Sequence, residues 1–245
     1  MEGSGFAFDE LNIVARGAFT PVLLRPAWLG ERQLVSDDDL STVKVEVISP
    51  TATLFTVGAF RVQVTPDGLQ ISTNDLAETE RARDLALGIL HGHNHTPLAA
   101  LGLNRTIHFT PGSEREWHAI GDRLVPKDTW EQKGILDLPG MVNVTLQGVR
   151  PDKYGGYMRV HIQPSNRVPY SVYIAVNDHF TLRRVENQPT ARETPTVDAV
   201  LESESFSLDK SRVALEVLAG EWSSFLARSE KAIKFVSGLG GGRQS

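Results

Sequence analysis

Between residues 43 and 71 apolar and polar positions alternate. "VKVEVIS" sets Val43, Val45 and Val47 against Lys44 and Glu46, the period of a half-buried strand. "LFTVGAFRVQV" continues the pattern, with Phe60, Val62 and Val64 on one face and Arg61 and Gln63 on the other. "TPDG" is a turn signal, since Pro66 presets φ and Gly68 tolerates φ > 0, and "LQIS" returns as the second arm of a hairpin. The period changes at Asn74. Asp75 followed by Glu78 has the form of a helix cap, and Leu76, Ala82, Leu85, Ala86, Ile89 and Leu90 then share one helical face, opposite Glu80 and Arg83. After "HGHNHTP" the alternation resumes in "LAALGLNRTIHF", with Leu101, Leu103, Ile107 and Phe109 on one side.

The second half repeats this grammar. "GSEREWHAIGDRL" predicts a short helix opening at Ser113, with Glu116 three residues on. "VNVTLQGV", "YMRVHIQ" and "YSVYIAV" predict three strands, joined by Tyr154-Gly155-Gly156 and by the Pro164–Pro169 segment. A single amphipathic helix of roughly 25 residues is expected from Asp209, with Leu215, Leu218, Trp222, Phe225, Leu226, Ile233 and Val236 as its stripe and Gly238 as its stop. Lys231 and Lys234 fall in its last turns, where the helix dipole favours cations. At the other end, "MEGSGFAFDE" reads as a loop-like start, "FTPVLLRPAWLG" as a short strand broken by Pro21 and Pro26, and Asp37-Asp38-Asp39 as a surface loop.

Runs of strands interrupted by few helices predict an α+β fold, mostly antiparallel, with one mid-chain helix and a long C-terminal helix. The expected organisation is a core over 1–182, which can split into subdomains at about 1–125 and 139–182. An exposed Pro-, Thr- and Glu-rich connection follows over 183–206, then the helix over 207–237 and a flexible tail over 238–245.

Composition narrows the function. The 245 residues are 40% hydrophobic and 22% charged, an ordinary globular mix. A net charge of −5 weighs against broad nucleic-acid binding, which needs a concentrated basic surface. With no cysteine there are no disulfides, thiolate metal sites or thiol nucleophiles. No apolar run approaches a membrane span, and the first residues lack a secretory pattern, so a cytoplasmic protein is expected.

"LHGHNH" places His91, His93 and His95 at alternate positions, and imidazole is the commonest protein metal ligand. Read as a metal site, the cluster would bind zinc or manganese beside a carboxylate such as Asp84 or Asp122. Read as structure, it is a helix C-terminus with Gly92 in the left-handed region and no cofactor. "ILHGHNHTP" resembles the C-terminal metal-binding segment of the calcineurin-like metallophosphoesterases, with His93 and His95 at the matching positions. That resemblance implies two-metal hydrolysis of a phosphate ester. The family's upstream motifs have no counterpart, because Gly121-Asp122 and Asn177-Asp178-His179 lie downstream.

Polar strand positions supply a second candidate. His108 and His161 fall on polar faces, beside Asn104 and Thr106 and beside Arg159 and Gln163, so they can meet across a sheet and line a groove. Arg105 lies on the apolar face of its strand and requires a carboxylate, for which Asp84 and Glu116 are the candidates. Phosphate-loop, dinucleotide and serine-nucleophile signatures are absent, and "GLGGG" follows a helix instead of opening one.

Gly102-Leu103-Asn104, in a strand after a helix, is similar to the "GLNY" segment of a sporadically distributed family of uncharacterised bacterial proteins. In this chain Arg105-Thr106 stands where that family has an aromatic residue. The resemblance implies a bacterial α+β protein and brings no activity with it. Three functions follow as expectations. The first is a non-catalytic binding or assembly subunit that docks a protein partner, or its own copy, through Trp222, Phe225 and Leu226. The second is a metal-dependent hydrolase at His91, His93 and His95. The third is a small-ligand-binding domain using Asn104, Arg105, His108, Arg159 and His161.

Overall fold

A computed structural model of the chain describes residues 5–150, 152–184 and 205–241. Nine strands form one antiparallel sheet in the order β2-β3-β4-β5-β1-β6-β9-β8-β7. Two sequential meanders flank a central pair. The first is β2 (Lys44–Ile48), β3 (Thr53–Val57), β4 (Phe60–Thr65) and β5 (Gly68–Thr73). The second is β7 (Val144–Val149), β8 (Tyr154–Pro164) and β9 (Val172–Arg184). Between them β1 (Gly5–Gly17) pairs with β6 (Leu98–Thr110). A boundary near residue 125 does not divide this sheet, because β6 pairs with β9 from Leu101↔Phe180 to Phe109↔Val172.

Among the described residues, helices cover one face of the sheet. The chain enters α1 (Pro26–Glu31) and α2 (Asp37–Ser41) after a 3-10 turn at Pro21–Leu23. Then come α3 (Thr79–Gly92), α4 (Glu114–Leu124) and α5 (Asp128–Gln132). Among the described residues, two helices follow β9, α6 (Leu208–Gly220) and α7 (Trp222–Gly238). No helix among the described residues is long and apolar enough to cross a membrane.

Four local expectations are corrected. The loop-like start is β1, whose Leu11, Ile13 and Ala15 are buried while Asn12 and Val14 are not. The broken strand at Pro21–Pro26 is helical, because proline suits a first helical turn. The Asp37–Asp39 loop is a capped helix. The Ser36 hydroxyl accepts from the Asp39 amide at 3.0 Å, and the Ser36 amide donates back to the Asp39 carboxylate. Tyr154-Gly155-Gly156 belongs to β8 and holds a bulge, with Gly156 at φ +129°, where a Cβ would lie 2.0 Å from the His179 carbonyl oxygen.

The expected single C-terminal helix is two helices meeting at Glu221. Its amide donates to Val217 O at 2.8 Å and its carbonyl accepts from Phe225 at 2.9 Å, so the break is one residue wide. Trp222, the first residue of α7, is buried in the core, where its indole N–H donates to Glu80 at 3.0 Å. Part of the expected 183–206 connection (185–204) and half of the expected 238–245 tail (242–245) lie outside the described residues.

The covered face carries two apolar clusters. One joins Leu11, Phe60, Ile71, Leu85, Leu103, Phe180, Leu218, Trp222 and Phe225, and the other joins Ile107, Ile120, Ile162, Ile174, Val176, Ile233 and Val236. A charged seam runs between them. On β6 it is Arg105, between Leu103 and Ile107, and on β9 it is Asp178, between Val176 and Phe180. Arg105 donates to both oxygens of Asp9, at 3.0 and 2.7 Å, and to Glu230 at 2.8 Å. Asp178 takes Arg228 and has Arg150 at 3.4 Å, and the Arg150 guanidinium lies over the Phe180 ring at 3.5 Å. Burial of Arg105 thus requires carboxylates, as expected, but Asp84 and Glu116 are not they. Asp84 pairs with Arg83, and Glu116 accepts from the Gly112 amide.

Candidate functional site

The uncovered face of the sheet is built from the other half of each alternation. Registers place residues of neighbouring strands opposite one another on the same face. One polar row runs Arg61, Ser72, Asn12, Asn104, Asn177, Arg159, Gln147 across seven strands. Here the Asn177 amide donates to Asn104, and Asn104 donates to the Asn12 carbonyl at 3.3 Å. Arg159 donates to Gln147 at 2.8 Å and lies over the Tyr157 ring at 4.6 Å, with Tyr157 stacked on His179 at 4.7 Å.

A second row crosses four strands as Phe8, His108, Tyr173 and Gln163. Its rings pack edge to face, Phe8 to His108 at 5.8 Å and His108 to Tyr173 at 5.2 Å, while His161 approaches Tyr173 at 6.0 Å. A cleft of about 390 Å³ lies over this row, lined also by Glu10, Thr106, Asn166 and Arg167. The Ser165–Ser171 loop, closed by a Ser165 amide to Ser171 carbonyl bond at 2.8 Å, brings Arg167 over the Phe8 ring at 4.7 Å.

Hydrogen bonding sets both tautomers. Ser165 Oγ accepts from the amides of Arg167 and Val168, at 3.1 and 2.9 Å, so its own proton goes to His108 Nδ1 at 2.8 Å. His108 then carries its hydrogen on Nε2. Burial, and secondarily the Arg167 charge, holds its pKa below the ordinary imidazole value, in keeping with the neutral form. His161 donates from Nε2 to Gln163 Oε1 at 3.0 Å and accepts from Thr145 at Nδ1 at 2.7 Å, which leaves the Gln163 NH2 free to donate.

The other expected residues are distributed as follows. His108 and His161 share the cleft, while Asn104 and Arg159 lie in the polar row outside its lining, and Arg105 is on the opposite face in the charged seam. His91 and His95 are exposed, whereas His93 is buried with its ring 4.7 Å from Trp28 and 5.8 Å from His95. Burial, then the charges of His95 and Arg32, lowers the His93 pKa. Among the described residues, no three His, Cys, Asp or Glu side chains come together as metal ligands would. Asp84 and Asp122 are engaged with Arg83 and Lys127. Gly92 is the last helical residue and does not adopt the left-handed conformation. Its lack of a side chain admits Trp28, which would lie 2.8 Å from a Cβ. Trp222 and Phe225 are buried in the protein's own core, and Leu226 packs partly against it.

The sequence reading missed Phe8, Glu10, Asn166, Arg167 and Tyr173 as cleft residues, and had Thr106 and Gln163 on the polar faces beside the two histidines. Tyr173 carried a signal, since it alternates with Val172 and Ile174 as His108 does with Ile107 and Phe109. Phe8 and Glu10 carried none, because their strand was not recognised. The chain matches no family model and no curated protein at a significant level.

Proposed function

We propose that the protein is a binding module that holds a small polar ligand on the uncovered sheet face, in the cleft over His108 and His161. The observation that supports this reading is the ring-and-donor row across β1, β6, β9 and β8, whose polar groups are oriented by neighbours and left open to the cleft. A cleft of about 390 Å³ lies within the ordinary range for small-molecule sites. The test is a chemically varied set of polar metabolites added to the full chain, with backbone amide shifts as the readout. Shifts gathered on Phe8, Thr106, His108, Gln163 and Tyr173 are expected. Shifts scattered over the surface, or none at all, end the reading.

A second reading, a subunit docking a protein partner, is favoured by the β7 edge. Among the described residues β7 pairs with β8 alone; it carries no charge and exposes Leu146 and Val149, and Val142, just before it in the chain, is exposed as well. The opposite edge, β2, is guarded by Lys44, Glu46 and a bulge between Val45 and Val47. An added strand is the partner such an edge takes. Photo-crosslinking from position 146 in cells should yield a defined adduct that position 45 does not. Equal or absent adducts at both positions count against a partner.

A further inference from the structure

The cleft over His108 is polar almost throughout. Arg167 covers the face of the Phe8 ring, and the rings of His108 and Tyr173 meet edge to face, so little apolar surface lines it. What it presents instead is hydrogen-bonding groups and one charge of each sign. Among the described residues Arg167 touches Phe8 and no carboxylate, and Glu10 makes no ion pair. A guanidinium lying on a ring keeps the donors along its edge. His108 is 2% exposed, and its Nε2 hydrogen, placed there by the Ser165 hydroxyl at Nδ1, meets no protein acceptor among the described residues. A buried donor of this kind destabilises the fold unless something in the cleft, water or ligand, accepts from it. The register sets how far apart the two charges are anchored. Phe8 lies opposite His108 and Glu10 opposite Thr106, so Glu10 stands two residues along β1 from the ring that carries Arg167, about 6.5 Å by strand geometry.

Two opposite charges on one face, near each other but unpaired, select against most simple ions. An anion that neutralises Arg167 is repelled by Glu10, a phosphate dianion most of all, and a plain ammonium ion leaves Arg167 and the His108 donor unmet. A molecule with both charges on neighbouring atoms satisfies both walls. Resting on the ligand-binding reading above, we infer that the cleft takes a free α-amino acid with a polar side chain. Its carboxylate meets Arg167 and the Nε2 hydrogen of His108, and its ammonium meets Glu10 and the Thr106 hydroxyl. Gln163, whose NH2 is left to donate because His161 holds its oxygen, faces the side chain together with Asn166. A peptide terminus brings only one of the two charges. A leucine-type side chain finds no apolar wall to cover it and gains nothing from the cleft.

The experiment titrates the full chain with L-serine, L-asparagine and L-glutamine. Beside each runs the matching amine, which lacks the carboxylate, and the matching hydroxy acid, which lacks the ammonium, with L-leucine and inorganic phosphate as further probes. Backbone amide shifts give location and affinity together. At least one of the polar amino acids should shift the amides of Thr106, His108 and Arg167, and bind about tenfold tighter than its amine, its hydroxy acid and leucine. This comparison needs no variant. Glu10→Gln should then bring the amino acid down to about the level of its hydroxy acid, and Arg167→Ala, at an exposed position, to about that of its amine. A hydroxy acid or phosphate matching the best amino acid means a simple anion site and overturns the inference. The amine or leucine matching it, or an affinity untouched by both variants, overturns it as well. A cleft that responds to other polar metabolites and to no amino acid overturns it while sparing the binding reading. A cleft silent to every probe overturns both.

Discussion

The two faces of the sheet use the same strands and treat charge in opposite ways. On the covered face the charges of the seam lie against opposite ones. Arg105 is held between Asp9 and Glu230 with its own side chain 9% exposed, and Asp178 meets Arg228 and Arg150. On the uncovered face Arg159 and Arg167 rest on aromatic rings, and Glu10 makes no ion pair among the described residues. The difference follows from solvation. A charge under helices loses water and must be neutralised where it sits, whereas a charge on an open face keeps its water and remains free to meet a ligand.

The largest expected effect tests the covered side of this contrast. Arg105→Met leaves Asp9 without its bidentate partner and should cost about 3–5 kcal/mol in urea unfolding. Asp9→Asn combined with Arg105→Met should recover part of that loss, because no lone carboxylate then remains under the helices. A single variant as stable as the parent would make the seam a surface feature and dissolve the contrast.

Neighbouring positions on opposite faces give the next effect. Ile107 is fully buried and Thr106 is not. Ile107→Ala should lose about 2–4 kcal/mol, and Thr106→Ala less than about 0.5 kcal/mol. Equal losses would mean that the second face is covered in solution.

Acid gives a smaller effect that spans both regions. His93, facing Trp28, His95 and Arg32, and His108, facing Arg167, Ser165 and Tyr173, have folded-state pKa values below the ordinary imidazole value near 6.5. The unfolded chain then binds more protons than the folded one just below that pH. Stability is full above about pH 6.5 and falls as the pH drops beneath it. Thermal unfolding followed from pH 7.5 to 5.5 should show the decline, and His93→Gln should flatten it. A curve unchanged by His93→Gln would assign the decline elsewhere. The smallest effect belongs to the open face. Arg159→Ala should change stability by less than about 0.5 kcal/mol, because its partners are an amide and a ring with water close by. A loss above about 2 kcal/mol would show that this row is structural.

Much of the architecture was readable from periodicity. The hairpin of β4 and β5, the strands β6, β8 and β9, and the cap of α4 at Ser113 all stand where alternation and capping signals put them, and the Glu116 amide donates to Ser113 at 3.2 Å. β1 was not readable. Its acidic residues suppress the apolar signal, and the partner of Asp9 under the helices is Arg105, 96 positions away in the chain and diagonal to it across the β1–β6 pairing. The site shows the same division. The polar-face positions of His108 and His161 follow from local alternation, but their sharing of one cleft depends on β9 lying between their strands and contributing Tyr173.

By itself the sequence determined which positions alternate, that Arg105 needs a carboxylate, and that Trp222 and Phe225 belong to an apolar stripe. These are properties of a few consecutive residues and of side-chain solvation. Tertiary structure decided the rest: the order of the nine strands, the choice of Asp9 and Glu230 over Asp84 and Glu116, and the break at Glu221. It also decided the convergence of Phe8, Glu10 and Arg167 on His108. Each of these depends on which distant segments pack together, and that choice is made by burial summed over the whole sheet, to which any one stretch of sequence contributes only a part.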